Sequence, residues 1–428
     1  MTPLAPMPFP ETSFALTLIL FLLAPLAIAG LALVNTGLGR SRSAAQSMLG
    51  TQVVISTAVI AFVVVGWAIA GESNRDLVVH ITGKAWDWAG SERCFGLGLS
   101  SAPPRAQLIL LFEMLSAALV ALIPWGSGAD RLRLPAGAAI AALLGAVVFP
   151  LVAHWSWSGW LAQLNRNFAI GSGFVDAGGG GSVHALGGLA ALAAIWIAGP
   201  RKGKFPREGL STAMPGHNVV YVLFGALLAL VGWLAWNMAG ALLWLDAAPS
   251  LLAVVAVNTI LPATTALGAT FLVTRIRFGK PDASLCANGW LAGLVTSSAC
   301  ASVVSPPAAM FAGFVAGAFT PLLVESFELA LSIDDPSGAV SVHGAAGLWG
   351  LLAAGIFSSR EGQFLPQLIG ISMLLGLVLP AVYGLFWLTD RVITFRVEPD
   401  GERLGMDLHE LGGNAYPEFV VHRDESYR

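Results

Sequence analysis

Aspartate and histidine recur in this chain at one spacing. In DAGGGGSVHALGGLAAL, Asp176 precedes His184 by eight residues; in DPSGAVSVHGAAGLWGL, Asp335 precedes His343 by the same interval. Both copies read Ser-Val-His, and Gly and Leu match at the fourth and fifth residues beyond the histidine. Both histidines lie in long apolar stretches. A neutral imidazole there donates and accepts hydrogen bonds and relays protons. A paired, dry arrangement suits passage of a small hydrogen-bonding molecule or a proton, not a hydrated metal cation. A lone histidine in a membrane helix reads as a packing or helix-linking residue. The duplication shifts the reading to a path shared by two halves of the molecule.

Each aspartate precedes a helix that starts with small residues, where a carboxylate caps free N–H groups and meets the positive end of the helix dipole. Capping is expected for Asp335, with Pro336 at a first-turn position. For Asp176, capping and a negative potential at a cation entrance are both open. Trp86, Trp88, Trp155, Trp157, Trp160 and Trp236 enrich one side of the chain in indoles, and interfacial anchoring accounts for such residues in general. Trp157, in AHWSWSGW just before the first Asp–His pair, is the candidate for cation–π attraction, worth about 0.5–2 kcal/mol.

These residues need a scaffold, and the composition says which. Of 428 residues, 56% are hydrophobic and 11% charged, against about 25% charged in a soluble domain. The chain is an all-α polytopic membrane protein. Eleven apolar segments are expected, near 13–35, 50–71, 106–126, 135–154, 180–199, 217–243, 250–274, 284–304, 307–327, 340–358 and 366–389. The N-terminus has no basic region ahead of its first apolar run, so no cleaved signal peptide is expected. Arg40, Arg42, Arg131, Arg133, Arg201, Lys202, Lys204, Arg207, Arg275, Arg277, Lys280, Arg391 and Arg396 follow segments one, three, five, seven and eleven. One side therefore collects the strongly basic loops. By the positive-inside rule it is the cytoplasm, with the N-terminus outside and the C-terminus inside. The motifs open segments five and ten, so two five-helix repeats of opposite orientation are expected, about 13–199 and 217–358. A last helix near 366–389 completes a membrane domain of 1–390, and 391–428 forms a patterned cytoplasmic tail.

Other chemistry is not indicated. The run 178–181 is not a phosphate loop, the basic run 201–207 is a topology signal rather than a nucleic-acid patch, and Cys94, Cys286 and Cys300 form no metal or redox motif. No enzyme constellation, cofactor or metal is expected.

Over nearly its whole length the chain resembles the ammonium transporter family, which groups the Amt, Mep and Rh proteins. The likeness is carried by VDAGGGGSVHALGGLAAL, GPRKGKF, WNMAGALL, GKPD, NGWLAGLV, DDPSGAVSVHGAAGLWGLLAAGIF and the ERLGMDLHE tail. It implies eleven transmembrane helices in the plasma (inner) membrane, an extracellular N-terminus and a homotrimer with one pore per subunit. It implies that His184 and His343 are the twin pore histidines, Trp157 the tryptophan of an outer cation site, Asp176 its structural support and Phe112 part of an outer phenylalanine region. The tail resembles the segment through which PII-type signalling proteins regulate many bacterial members. Ser116 and Trp236 stand where the family usually has the two gate phenylalanines. Gly240 replaces a serine of the outer site, and Glu113 a glutamine. These departures remove bulk at two positions and offer negative charge at a third. An aromatic, anionic box for methylammonium or choline is therefore an alternative to ammonium. The competing view is that Glu113 faces another helix or subunit and Trp236 refills the volume lost at Ser116. A third reading is a receptor that reports amine binding through its tail.

Overall fold

The computed structural model describes residues 9–71, 77–208 and 210–419; the ends of the expected N-terminal and tail segments lie outside them. In chain order the helices are α1 Glu11–Leu38 and α2 Ser41–Ala70, then a hairpin of β1 Leu77–Ile81 and β2 Lys84–Ala89. There follow α3 Pro104–Ser127, α4 Leu134–Trp157, α5 Gly180–Ala198, α6 Val219–Trp244 and α7 Pro249–Phe278. After α8 Ala283–Cys300 come α9 Pro306–Leu331, α10 Val340–Phe357 and α11 Phe364–Asp390. Apolar helices of this kind satisfy every backbone group internally, which is what a bilayer demands.

Among the described residues, ten helices have the length and apolarity to cross a membrane, against the eleven expected. The remaining segment is α8. Asn288, Thr296, Ser297 and Ser298 lower its hydropathy, and all four are buried. They can be there because α6, α7, α9 and α10 pack around it. The hairpin was not expected. Its tip, Thr82 and Gly83, has positive φ at both residues (52° and 74°), the geometry that joins two strands with a two-residue turn.

The two Asp–His segments meet where α5 crosses α10. A Cβ added to Gly188 would lie 2.1 Å from the Gly344 nitrogen, and one added to Gly347 would lie 2.8 Å from the Ala185 nitrogen. Gly188 and Gly347 are the glycines that match beyond the two histidines, so each Asp–His segment presses its matching glycine on the residue that follows the other's histidine. Small residues permit this backbone contact where lipid supplies no hydrophobic drive between helices. Gly188→Val should force α5 and α10 apart, at about 1–3 kcal/mol for an overpacked contact. The measurement is the midpoint of thermal unfolding in detergent. An unchanged midpoint would mean that the crossing is not tight.

The loops that carry Arg40, Arg131 and Arg201 meet the α9–α10 loop at one end of the bundle. Arg201 donates to both Asp334 (2.9 Å) and Asp130 (3.0 Å), and Arg131 donates to the Asp334 carbonyl at 2.7 Å. The tail docks on this end. Val397 N–H donates to the Arg131 carbonyl. Asp407 accepts from Gln46 N–H at 2.8 Å, and Glu410 from Leu134 N–H at 3.1 Å. Two tail carboxylates thus sit at the N-termini of α2 and α4, where free N–H groups and the helix dipole favour negative charge.

Candidate functional site

Both histidines stand on wide π-helical turns, Gly180–Ala185 and Val340–Ala345, at the starts of α5 and α10. Such turns leave backbone groups out of the regular ladder and recur at functional sites. The two aspartates hold them in the same way. Asp176 accepts from Gly181 N–H (3.0 Å), Ser182 N–H (2.7 Å) and the Ser182 hydroxyl (2.8 Å). Asp335 accepts from Val340 N–H (2.8 Å) and the Ser127 hydroxyl (2.8 Å). In each copy the acceptor lies five residues before the donor N–H. Pro336 is not in the first helical turn as expected. It lies in the Asp335–Gly338 turn, closed by Gly338 N–H donating to the Asp335 carbonyl, and α10 begins later.

The imidazoles meet edge to edge, with their planes nearly parallel. Nδ1 of His343 lies 3.3 Å from Nδ1 of His184, with ring centroids 5.3 Å apart and planes at 24°. Such a contact requires a proton on one Nδ1 and a lone pair on the other, so the rings are a donor and an acceptor joined in one chain. Trp233 stacks on His184 (4.9 Å, 12°) and is itself held by its indole N–H donating to the Ser298 hydroxyl at 3.0 Å. His184 Nε2 is buried with no hydrogen-bond partner among the described residues. Beyond His343 is a small closed cavity lined by Val34, Asn35 and Ser337.

Toward the opposite end, four rings form a second cluster. Phe112 lies 5.5 Å from Trp157, 5.1 Å from Trp236 and 6.0 Å from Trp244. Trp157 stacks on Trp244 (4.8 Å, 10°), and its indole N–H donates to the Asp176 carbonyl at 2.8 Å. The turn that caps the His184 helix therefore also fixes Trp157. Behind it, His154 on α4 joins the hairpin: Nε2 lies 3.0 Å from Asp87 and Nδ1 2.7 Å from the Ala70 carbonyl. Trp86, Trp88, Trp155 and Trp160 pack in this same region rather than in the ring cluster.

The four altered positions all lie inside the bundle. The Ser116 hydroxyl turns back onto its own helix and donates to the Phe112 carbonyl at 2.8 Å. Trp236 is 2% exposed and fills the space against Phe112. Glu113 is buried on α3. Gly240 lies against the turn after Asp176: a Cβ there would stand 2.1 Å from the Ala177 carbonyl oxygen. Serine at 240 would have to push α6 away from that turn, so Gly240→Ser is not a clean test of substrate size. Sequence reasoning missed Trp233, Trp244 and Ser298. The available signal was spacing: Trp233, Trp236 and Gly240 fall on one face of α6.

Comparison with known proteins gives a consistent result. Residues 15–416 match the model of the Ammonium Transporter Family. Ammonium transporter Amt2 of Archaeoglobus fulgidus is 32% identical over 419 residues, covering 93% of this chain and 86% of the relative. Ammonium transporter Amt2 of Haloferax mediterranei is 32% identical over 408 residues, covering 91% and 87%. Among solved structures, a Sensor Amt Protein superposes with a TM-score of 0.84 at 25% identity, covering 93% of this chain and 98% of that one. Candida albicans Mep2 shares the fold, with a TM-score of 0.75 at 22% identity and coverage of 96% and 91%.

Proposed function

This chain belongs to the ammonium transporter family, and from that premise we propose that it recruits ammonium at the Trp157–Phe112 rings and passes it as ammonia along His184 and His343, the proton it gives up being relayed by the imidazole pair. The observation that carries the proposal is the buried imidazole pair, joined Nδ1 to Nδ1 at 3.3 Å. The indole faces at Trp157 and Trp244 attract a cation, and the Asp176 turn links that site to the helix bearing His184. The basic end with its docked tail is the cytoplasmic face of the plasma membrane, and the N-terminus is outside. A homotrimer, and a PII-type protein acting at the tail, are the partners this reading carries. Asp176 and Asp335 are structural supports.

The small substrate is preferred over methylammonium or choline. Ring centroids 4.8 to 6.0 Å apart leave little room between the rings, which favours the smallest cation. A second reading, an ammonium receptor without conduction, is supported by the likeness to the Sensor Amt Protein and by the packed aromatic cluster.

The test is substrate-triggered current, with labelled uptake, from purified protein in proteoliposomes. Ammonium, methylammonium and choline are offered in turn. Ammonium is expected to give the largest response. A response to choline but not ammonium would assign Glu113, Ser116, Trp236 and Gly240 to a different substrate. Saturable binding without current or uptake would favour the receptor.

A further inference from the structure

The face of α6 that carries Trp233, Trp236 and Gly240 runs between the two parts of the site. Trp233 stacks on His184, Trp236 packs on Phe112, and Gly240 abuts Ala177 beside Asp176. Trp236 is therefore the member of the outer ring cluster that stands one turn from the indole stacked on His184. Two indoles one turn apart are treated differently. The Trp233 N–H is bonded to Ser298, whereas Trp236 Nε1 is buried with no hydrogen-bond partner among the described residues. A buried indole N–H normally finds an acceptor. Trp160 and Trp244 carry buried, unpartnered indole nitrogens too, but Trp160 lies in the cluster beneath the hairpin and Trp244 stands about two turns further along α6 than Trp236, away from the indole on His184.

We propose that the Trp236 indole N–H is a donor aimed at the translocated species, and that it selects for a neutral nitrogen base with a free lone pair. This rests on the transport reading above. The argument is one of donors and acceptors. An indole N–H only donates. Ammonia and methylamine carry a lone pair and accept from it. Ammonium and quaternary ammonium ions carry none. The face of an indole attracts cations, but the positive N–H edge disfavours them. Phenylalanine at this position would supply a face alone. Tryptophan adds a contact that only the deprotonated substrate can make, placed just inside the rings where a cation is held. The second unpartnered polar atom, His184 Nε2, lies at the inner end of the same face.

The test is replacement of Trp236 by β-(3-benzothienyl)alanine, an isostere that keeps the shape and lacks the N–H. Native protein is run in parallel, and ammonium current and methylammonium uptake are followed in proteoliposomes. The maximal rate should fall about fivefold, the scale of one neutral hydrogen bond. The concentration at half-maximal rate should stay unchanged, because recruitment lies further out. Trp236→Phe, which needs no non-natural incorporation, should lose rate in the same manner. A maximal rate within twofold of native, or a half-saturation that shifts in step with the rate, overturns the proposal. If native protein itself conducts nothing, transport fails as a reading and calorimetry decides the donor. At alkaline pH, where neutral base is abundant, ammonia should bind about fivefold more weakly to the isostere; equal binding overturns it.

Discussion

Alanine at His184 should cut ammonium-driven transport at least tenfold while leaving a folded protein. The side chain has three relations at once: Nδ1 to His343 at 3.3 Å, a ring stacked on Trp233 at 4.9 Å, and a buried Nε2 without a protein partner. Removing it leaves the His343 Nδ1, in a residue only 5% exposed, without its partner. An orphaned buried polar atom costs about 1–3 kcal/mol. The larger effect is on the path. The chain of donor and acceptor is cut at its outer member, and an apolar gap separates the outer rings from His343. A barrier higher by about 1.4 kcal/mol is already tenfold in rate. His184→Gln keeps a donor and an acceptor but cannot pass a proton through a ring, so it should recover part of the stability and little of the transport. Initial rates in proteoliposomes, normalised to protein that unfolds cooperatively in detergent, decide the matter. Rates within twofold of native for the alanine variant would remove the imidazole pair from the mechanism.

The histidines were legible because a repeat writes its equivalences into the sequence. Spacing paired Asp176 with His184 and Asp335 with His343, and it paired Gly188 with Gly347 before any contact was known. Helix existence was legible from apolar runs, which bilayers make unusually informative. Segment 284–304 was legible as a helix and Ala283–Cys300 forms it; what hydropathy along the chain does not record is that its neighbours cover Asn288 and Thr296. Two things were hidden for physical reasons. Which tryptophan meets which ring depends on the rotation of α4 and α6 about their axes, so Trp157 was found by its neighbourhood but its stacking partner Trp244 was not. Asp335 stood out by its spacing to His343, whereas Asp334, one residue earlier, acquires its role from arginines 133 and 203 positions away. Those arginines read only as topology signals, because loops distant in sequence meet at the basic end.

Asp334 is accordingly the position where the second large effect is expected. It is 4% exposed and bonded to Arg201 through both carboxylate oxygens, while Arg131, 0% exposed, lies with its guanidinium 3.8 Å away. Burial alone would raise the Asp334 carboxyl, but Arg131 and Arg201 outweigh it and hold the group down at about 2, from an ordinary value of 3.8. Asp334→Ala leaves two buried guanidiniums to share Asp130, and truncating one member of a buried ionic network costs about 3–5 kcal/mol. Arg201 and Arg131 also tie the α3–α4 and α5–α6 loops to the start of α10, so the loss should loosen the end of the bundle on which the tail docks. The pH dependence follows from linkage. Because the folded pKa is the lower one, the stabilisation is fully present above about pH 4 and is lost as pH falls from there toward 2. It amounts to about 2 kcal/mol at neutral pH. Thermal unfolding in detergent at pH 7 and at pH 3 should therefore show a large gap between native and Asp334→Ala protein at the higher pH and a narrower one at the lower. A gap of equal size at both would mean that the carboxylate charge is not what holds this end together.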